Sequence, residues 1–157
     1  MDAVFEQQLN RLADGLADQG YAIIDSFLCD EKVSAIVSSD GFKNGGIGKQ
    51  QDKQINESIR GDYIEWIEPA SALPSVGVYL HKLDELIQFV NRSLYLSLKD
   101  YEVHQTIYPI GSFYKRHLDQ FKKDDKRKLS VICYLNQNWQ TKEGGQLRIY
   151  METKSID

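Results

Sequence analysis

Cysteine is almost missing from this chain: Cys29 and Cys133 are the only two in 157 residues. Both sit among apolar neighbours, which reads as buried free thiols rather than a disulfide or a metal pair. A reduced, cytoplasmic setting is the default expectation. No apolar run approaches the roughly 18 residues of a membrane-spanning helix. The opening Met1-Asp2-Ala3-Val4-Phe5-Glu6 has neither a basic head nor a long apolar core, so no signal peptide is expected. Positive charge is not in excess. The 19 Lys and Arg face 23 Asp and Glu, for a formal net charge of −4, which argues against the basic face of a general nucleic-acid binder. Internal repeats and low-complexity tails are absent. The remainder, 41% hydrophobic and 27% charged, is the composition of one soluble globular domain of ordinary size spanning residues 1–157.

Along the chain, Val4, Phe5, Leu9, Leu12 and Leu16 recur at helical spacing over residues 2–19, and Gly20 is a natural stop. Residues 21–28 are expected to form a strand, and Asp30 to cap a short helix over 31–39. Residues 42–58 are polar and rich in glycine, which reads as a surface loop or as a functional lid. Tyr63 to Ile67 alternates as a strand, in which Trp66 is either a core aromatic or a wall of an entrance. Pro69 to Pro74 is a break. A stripe of Val78, Leu83, Leu86, Ile87, Val90, Leu94 and Leu98 predicts a long helix over 75–98 that backs a sheet. His81 lies on it among charges and reads as solvated. Tyr101 to Tyr108 is a strand, with His104 structural, and Pro109 to Ser112 is a turn. Helices followed by closely spaced short strands predict an α+β fold, an antiparallel jelly-roll sheet flanked by helices.

The densest chemistry lies between Tyr108 and Tyr150. Phe113 to Leu118 reads as a strand, so His117 and Asp119, two residues apart, project together. An imidazole beside a carboxylate is two-thirds of a facial site of two histidines and one carboxylate for non-haem Fe(II), which leaves positions open for a cosubstrate and O2. An exposed strand end with two polar residues is the bland alternative. After it come a charged hairpin loop over 120–127, the apolar run Leu129-Ser130-Val131-Ile132-Cys133-Tyr134-Leu135, and Trp139. Gly144-Gly145-Gln146-Leu147-Arg148 then closes the stretch. The run is expected to be a strand buried on both faces, and Tyr134 by itself reads equally as a core tyrosine.

Taken together, Tyr108-Pro109, His117-Leu118-Asp119, Tyr134-Leu135-Asn136 and Gly144-Gly145-Gln146-Leu147-Arg148 resemble the 2-oxoglutarate- and Fe(II)-dependent oxygenases. The likeness is greatest to prolyl 4-hydroxylases of the hypoxia-inducible-factor type and their bacterial relatives. Upstream, Arg60-Gly61-Asp62-Tyr63-Ile64-Glu65-Trp66-Ile67-Glu68 is similar to a signature of the same subgroup, and the two blocks stand in the family's order.

The resemblance implies a double-stranded β-helix in which His117 and Asp119 are catalytic metal ligands. Tyr134 then matches a residue on the distal carboxylate of 2-oxoglutarate, Tyr108 one near its chelating end, and Ile132 and Leu147 the apolar pocket walls. Arg127 matches a basic residue at the substrate mouth. Residues 43–60 match a mobile loop that closes over a protein substrate. Arg60 and Asp62 would pin its base as an ion pair, and Trp66 would shape the same side. The implied reaction converts 2-oxoglutarate to succinate and CO2 while hydroxylating C4 of a prolyl residue, with Fe(II), 2-oxoglutarate, O2 and ascorbate. The family's second histidine and its 2-oxoglutarate arginine lie on strands beyond the Gly-Gly-x-Leu-Arg block and are not matched by His81 or His104. The expectation is a domain truncated before its last barrel strands. Two other readings share these residues: a non-catalytic polypeptide binder, and a hydroxylase of a small molecule such as free proline.

Overall fold

The computed structural model describes residues 2–37, 43–44, 61–119 and 126–151. Helix α1 (Ala3–Gln19) begins where Asp2 accepts a 2.8 Å hydrogen bond from the Phe5 amide and ends at Gly20, whose amide returns to the Leu16 carbonyl. Its buried stripe, Phe5 and Leu9, meets Leu86 and Val90 of α3 (Pro74–Leu94) in one apolar cluster. A second cluster joins Leu28, Val33 and Ile36 to Val76, Leu80 and Leu83, which docks α2 (Asp30–Ile36) on the first half of α3. Phe27 packs against both clusters. Lys82 fixes it there by donating to the Phe27 carbonyl at 2.7 Å, with its ammonium 4.3 Å from the Phe5 ring centre.

Residues 21–28 do not form the expected strand. The buried Gln8 side chain donates to the Asp25 carbonyl at 3.0 Å and to that of Ser26 at 3.4 Å, and Ser26 takes a left-handed φ of 53°. The carbonyls that a ladder would need are thus bound to α1, and Ile23 is left 80% exposed. Helix α2 starts one residue earlier than expected: Cys29 occupies the cap position and makes no side-chain cap bond, while Asp30 and Glu31 fill the first turn. Backbone hydrogen bonding there lowers the Glu31 carboxyl below the usual range. Cys29 is exposed, not buried as expected; Cys133 is half-buried, and both thiols are free. Helix α3 stops at Leu94 rather than at residue 98. The Asn91 side chain captures both the amide (2.7 Å) and the carbonyl (2.8 Å) of Leu98, and Tyr95 turns left-handed. Leu94 and Leu98 still pack on the α1–α3 cluster, which explains why the apolar stripe outruns the helix.

The sheet is antiparallel, in the order β1 (Lys43–Asn44), β2 (Tyr63–Ile67), β3 (Val103–Ile107). Ile67 and Val103 are paired across β2 and β3 and lie against the α2–α3 cluster. Ile64 and Trp66 point to the other face, paired with Thr106 and His104. Past β3, Pro109 to Ser112 makes the expected turn, closed by the Ser112 amide on the Pro109 carbonyl at 2.9 Å.

Two further expected strands differ. Phe113 to Leu118 contributes only a bridge at Tyr114, and the Phe113 carbonyl instead accepts from the Gly61 amide at 2.9 Å. Residues 129–135 run without a ladder among the described residues, and the segment is not buried on both sides. Leu129, Cys133 and Leu135 pack on the helix clusters, whereas Ile132 and Tyr134 are each 56% exposed. One face has helices to lie on; the other meets no second layer among the described residues. Residues 120–125 of the expected hairpin loop, and residues 45–60 of the expected lid with Arg60, lie outside the described residues.

Candidate active site

The described structure places His117 and Asp119 side by side. The imidazole Nε2 is 3.0 Å from Asp119 Oδ1, although the strand expected to align them is reduced to one bridge. Other contacts do the aligning. His117 Nδ1 lies 2.6 Å from the Lys115 carbonyl, an acceptor only, so Nδ1 carries the hydrogen and Nε2 is the nitrogen left to face Asp119. The Tyr114 ring stacks on the imidazole at 3.7 Å between centres, tilted 19°. Asp119 Oδ2 accepts from the Ser130 hydroxyl at 2.6 Å, and its main-chain carbonyl accepts from Arg127 Nη1 at 3.3 Å. Arg127 is anchored in turn by Glu102 Oε2 at 3.0 Å. The pair is open to solvent: the His117 side chain is 34% exposed and that of Asp119 51%.

This arrangement passes a simple test for a metal. Two donors at right angles, each about 2.1 Å from an ion, stand about 3.0 Å apart; Nε2 and Oδ1 have that spacing. Their outer atoms are already occupied by Lys115 and Ser130, as metal ligands require. Among the described residues no third His, Cys, Asp or Glu joins them.

The other expected residues have their own contacts. Tyr134 donates to the Gly145 carbonyl at 3.0 Å. Gly144 and Gly145 both take left-handed φ angles (76° and 78°), and Trp139 Nε1 donates to the Gly144 carbonyl at 2.8 Å. The two glycines are therefore demanded by a turn that Trp139 and Tyr134 hold by its backbone. Tyr108, Ile132 and Leu147 are 48%, 56% and 57% exposed. Asp62 is buried, 3% exposed, and Arg60, its expected partner, lies outside the described residues. Trp66 is half-buried against His104, 4.8 Å between ring centres. Sequence reasoning missed Tyr114, Glu102 and the role of Ser130. The available signal for Ser130 was a hydroxyl inside an otherwise apolar run, on the same parity as Tyr134.

A family model described as the 2OG-Fe(II) oxygenase superfamily matches residues 103–157, the stretch that contains this pair. The solved structure of a Pseudomonas putida prolyl-4-hydroxylase superposes with a TM-score of 0.74 at 34% identity, covering 85% of this chain and 70% of that one. The chain belongs to the 2OG-Fe(II) oxygenase superfamily, among its prolyl hydroxylase-like members. Among curated relatives, it is 32% identical to Egl nine homolog 1 of Homo sapiens over 148 residues, 87% of this chain and 34% of that protein. It is 28% identical to the prolyl hydroxylase EGLN3 of Homo sapiens over 153 residues, 90% of this chain and 64% of that protein. The chain thus spans about a third of the first of these relatives.

Proposed function

We propose that this chain carries an Fe(II)- and 2-oxoglutarate-dependent oxygenase site that hydroxylates a prolyl residue of a protein substrate at C4, within a jelly-roll domain. The observation that carries the reading is the 3.0 Å approach of His117 Nε2 to Asp119 Oδ1, with Lys115 and Ser130 holding the outer atoms. When bound, Fe(II) supplies the oxidising chemistry by which 2-oxoglutarate and O2 become succinate, CO2 and a hydroxyl on the substrate.

The chain's own residues bind and orient. His117 presents Nε2, and Asp119 presents Oδ1, to the metal position. Arg127, fixed between Glu102 and the Asp119 carbonyl, places a cation beside the pair, where an incoming polypeptide meets it. Tyr108 and Tyr134 serve the two ends of 2-oxoglutarate, with Ile132 and Leu147 as apolar contacts. Trp66 flanks the entrance and the buried Asp62 supports the base of the lid, residues 43–60, to which Arg60 belongs. Ascorbate would serve to keep bound iron reduced, and a cytoplasmic setting suits the free thiols. Among the described residues no helix is long and apolar enough to cross a membrane.

The experiment is succinate release by the protein with Fe(II), 2-oxoglutarate, ascorbate and a proline-containing polypeptide. Turnover no greater than that of His117→Ala rejects the enzyme. Saturable Mn(II) binding that disappears in Asp119→Ala counts against a binder without metal, and turnover with free proline alone would move the target to a small molecule.

A further inference from the structure

We propose that Ser130 is a positioning residue that holds Asp119 as a one-oxygen ligand and thereby keeps a coordination position open for the cosubstrate. The inference rests on the oxygenase reading above and adds a residue to it. Asp119 has two equivalent carboxylate oxygens, and its side chain is half exposed, so burial does not fix how it turns. Hydrogen bonds do. Oδ2 accepts from the Ser130 hydroxyl at 2.6 Å while Oδ1 faces His117 Nε2 at 3.0 Å. A hydroxyl donating to a carboxylate at that distance is charge-assisted and strong. With Oδ2 so held, Oδ1 is the oxygen turned toward the His117 side. If Oδ2 were released, the carboxylate would swing to chelate through both oxygens and take a position that a bidentate cosubstrate needs.

The hydroxyl is itself well supported. Its neighbour Leu129 packs on the α1–α3 cluster, and three residues on Cys133 packs on the α2–α3 cluster. Ser130 therefore sits between two anchored points of the chain, 11 residues from the carboxylate it restrains. Arg127 steadies the same aspartate from its main-chain side at 3.3 Å. Ser130 alone holds the carboxylate oxygen turned away from His117 among the described hydrogen bonds.

The test compares Ser130→Thr with Ser130→Val. The two side chains have nearly the same shape and differ in the hydroxyl, so any effect of branching on folding is common to both. Mn(II) affinity is read by electron paramagnetic resonance of the free ion, and 2-oxoglutarate affinity by calorimetry at saturating Mn(II). Ser130→Thr is expected to bind Mn(II) within about threefold of the unaltered protein, and Ser130→Val, whose carboxylate gains a second oxygen on the metal, no more weakly. At saturating metal, 2-oxoglutarate affinity is expected to fall in Ser130→Val alone, an effect that a merely structural hydroxyl would not produce. Equal Mn(II) and 2-oxoglutarate affinities in the two variants would overturn the role of Ser130 while leaving the metal site standing. Absence of saturable Mn(II) binding by the unaltered protein would overturn both the site and this proposal.

Discussion

Replacing Leu86 with alanine removes a side chain that is 1% exposed and wedged between Phe5 and Leu9 of α1 and Val90 one turn along α3. These groups belong to two helices that are each fixed elsewhere: α1 by the Asp2 and Gly20 caps, and α3 by its second cluster with α2. The cavity therefore has little room to collapse. For buried leucines the combined loss of transfer energy and cavity formation is about 2.7–5 kcal/mol, and a site that cannot relax falls in the upper part of that range. We expect about 4–5 kcal/mol, a large share of the roughly 5–15 kcal/mol that holds a typical domain.

Urea unfolding followed by helical circular dichroism measures this directly. With a slope of about 1–3 kcal/mol per molar urea, the midpoint should fall by more than 1 M with the slope unchanged. Leu118→Ala is the control: it is also a leucine, but 84% exposed and between His117 and Asp119. It should shift stability by no more than about 0.5 kcal/mol. A loss below about 1 kcal/mol in Leu86→Ala, or equal losses in the two variants, would refute the placing of the core between α1 and α3.

Other outcomes follow from single contacts. Gly15→Ala should destabilise the protein by about 1–3 kcal/mol despite alanine's better helix propensity, because its Cβ would lie 2.9 Å from the Tyr21 carbonyl and from Ala22 Cβ; the midpoint of urea unfolding checks it. The Arg127–Glu102 pair has side chains 40% and 45% exposed, so the pair itself contributes only about 0.2–1 kcal/mol. Arg127→Ala should nevertheless weaken Mn(II) binding more than Glu102→Ala, since only the arginine reaches the Asp119 carbonyl; calorimetric titration compares them. Alkylation read by mass spectrometry should modify exposed Cys29 well before Cys133, whose thiol burial pushes up. A raised folded value means that this contribution to stability is intact below the unfolded thiol's value. The unaltered protein should therefore lose stability relative to Cys133→Ala as pH rises past about 8.5.

The sequence made the helices legible because their apolar residues recur at a period set by the backbone alone. Leu9, Leu86 and Val90 could be placed in a core before any partner was known. It misled where a side chain competes for backbone groups. Gln8 takes the carbonyls of Asp25 and Ser26 from any ladder, and Asn91 takes both polar groups of Leu98 from α3. Neither competition has a local signature, since the partners stand 17 and 7 residues apart. The site divides in the same way. His117 and Asp119 were legible as a spacing. Tyr114, Ser130 and Glu102 act through space upon them or upon Arg127, and no pattern of residue types announces that.

The segment 129–135 shows how a local rule survives the loss of the structure it was taken to imply. Its near-continuous apolar run predicts a strand buried on both faces, and among the described residues it has no ladder. An extended backbone still sends successive side chains to opposite sides, paired or not. Leu129, Cys133 and Leu135 share one side and are the residues that reach the helix clusters. Ser130, Ile132 and Tyr134 share the other; of these, Ser130 grips Asp119 and Tyr134 grips the Gly145 carbonyl. Val131 departs from the scheme at 42% exposed, midway between the two anchored ends. Anchoring and chemistry are thus carried by alternate residues of one stretch. Truncating the anchoring set should loosen the fold and the His117–Asp119 pair together, whereas changing Ser130 should alter the pair while leaving stability nearly untouched.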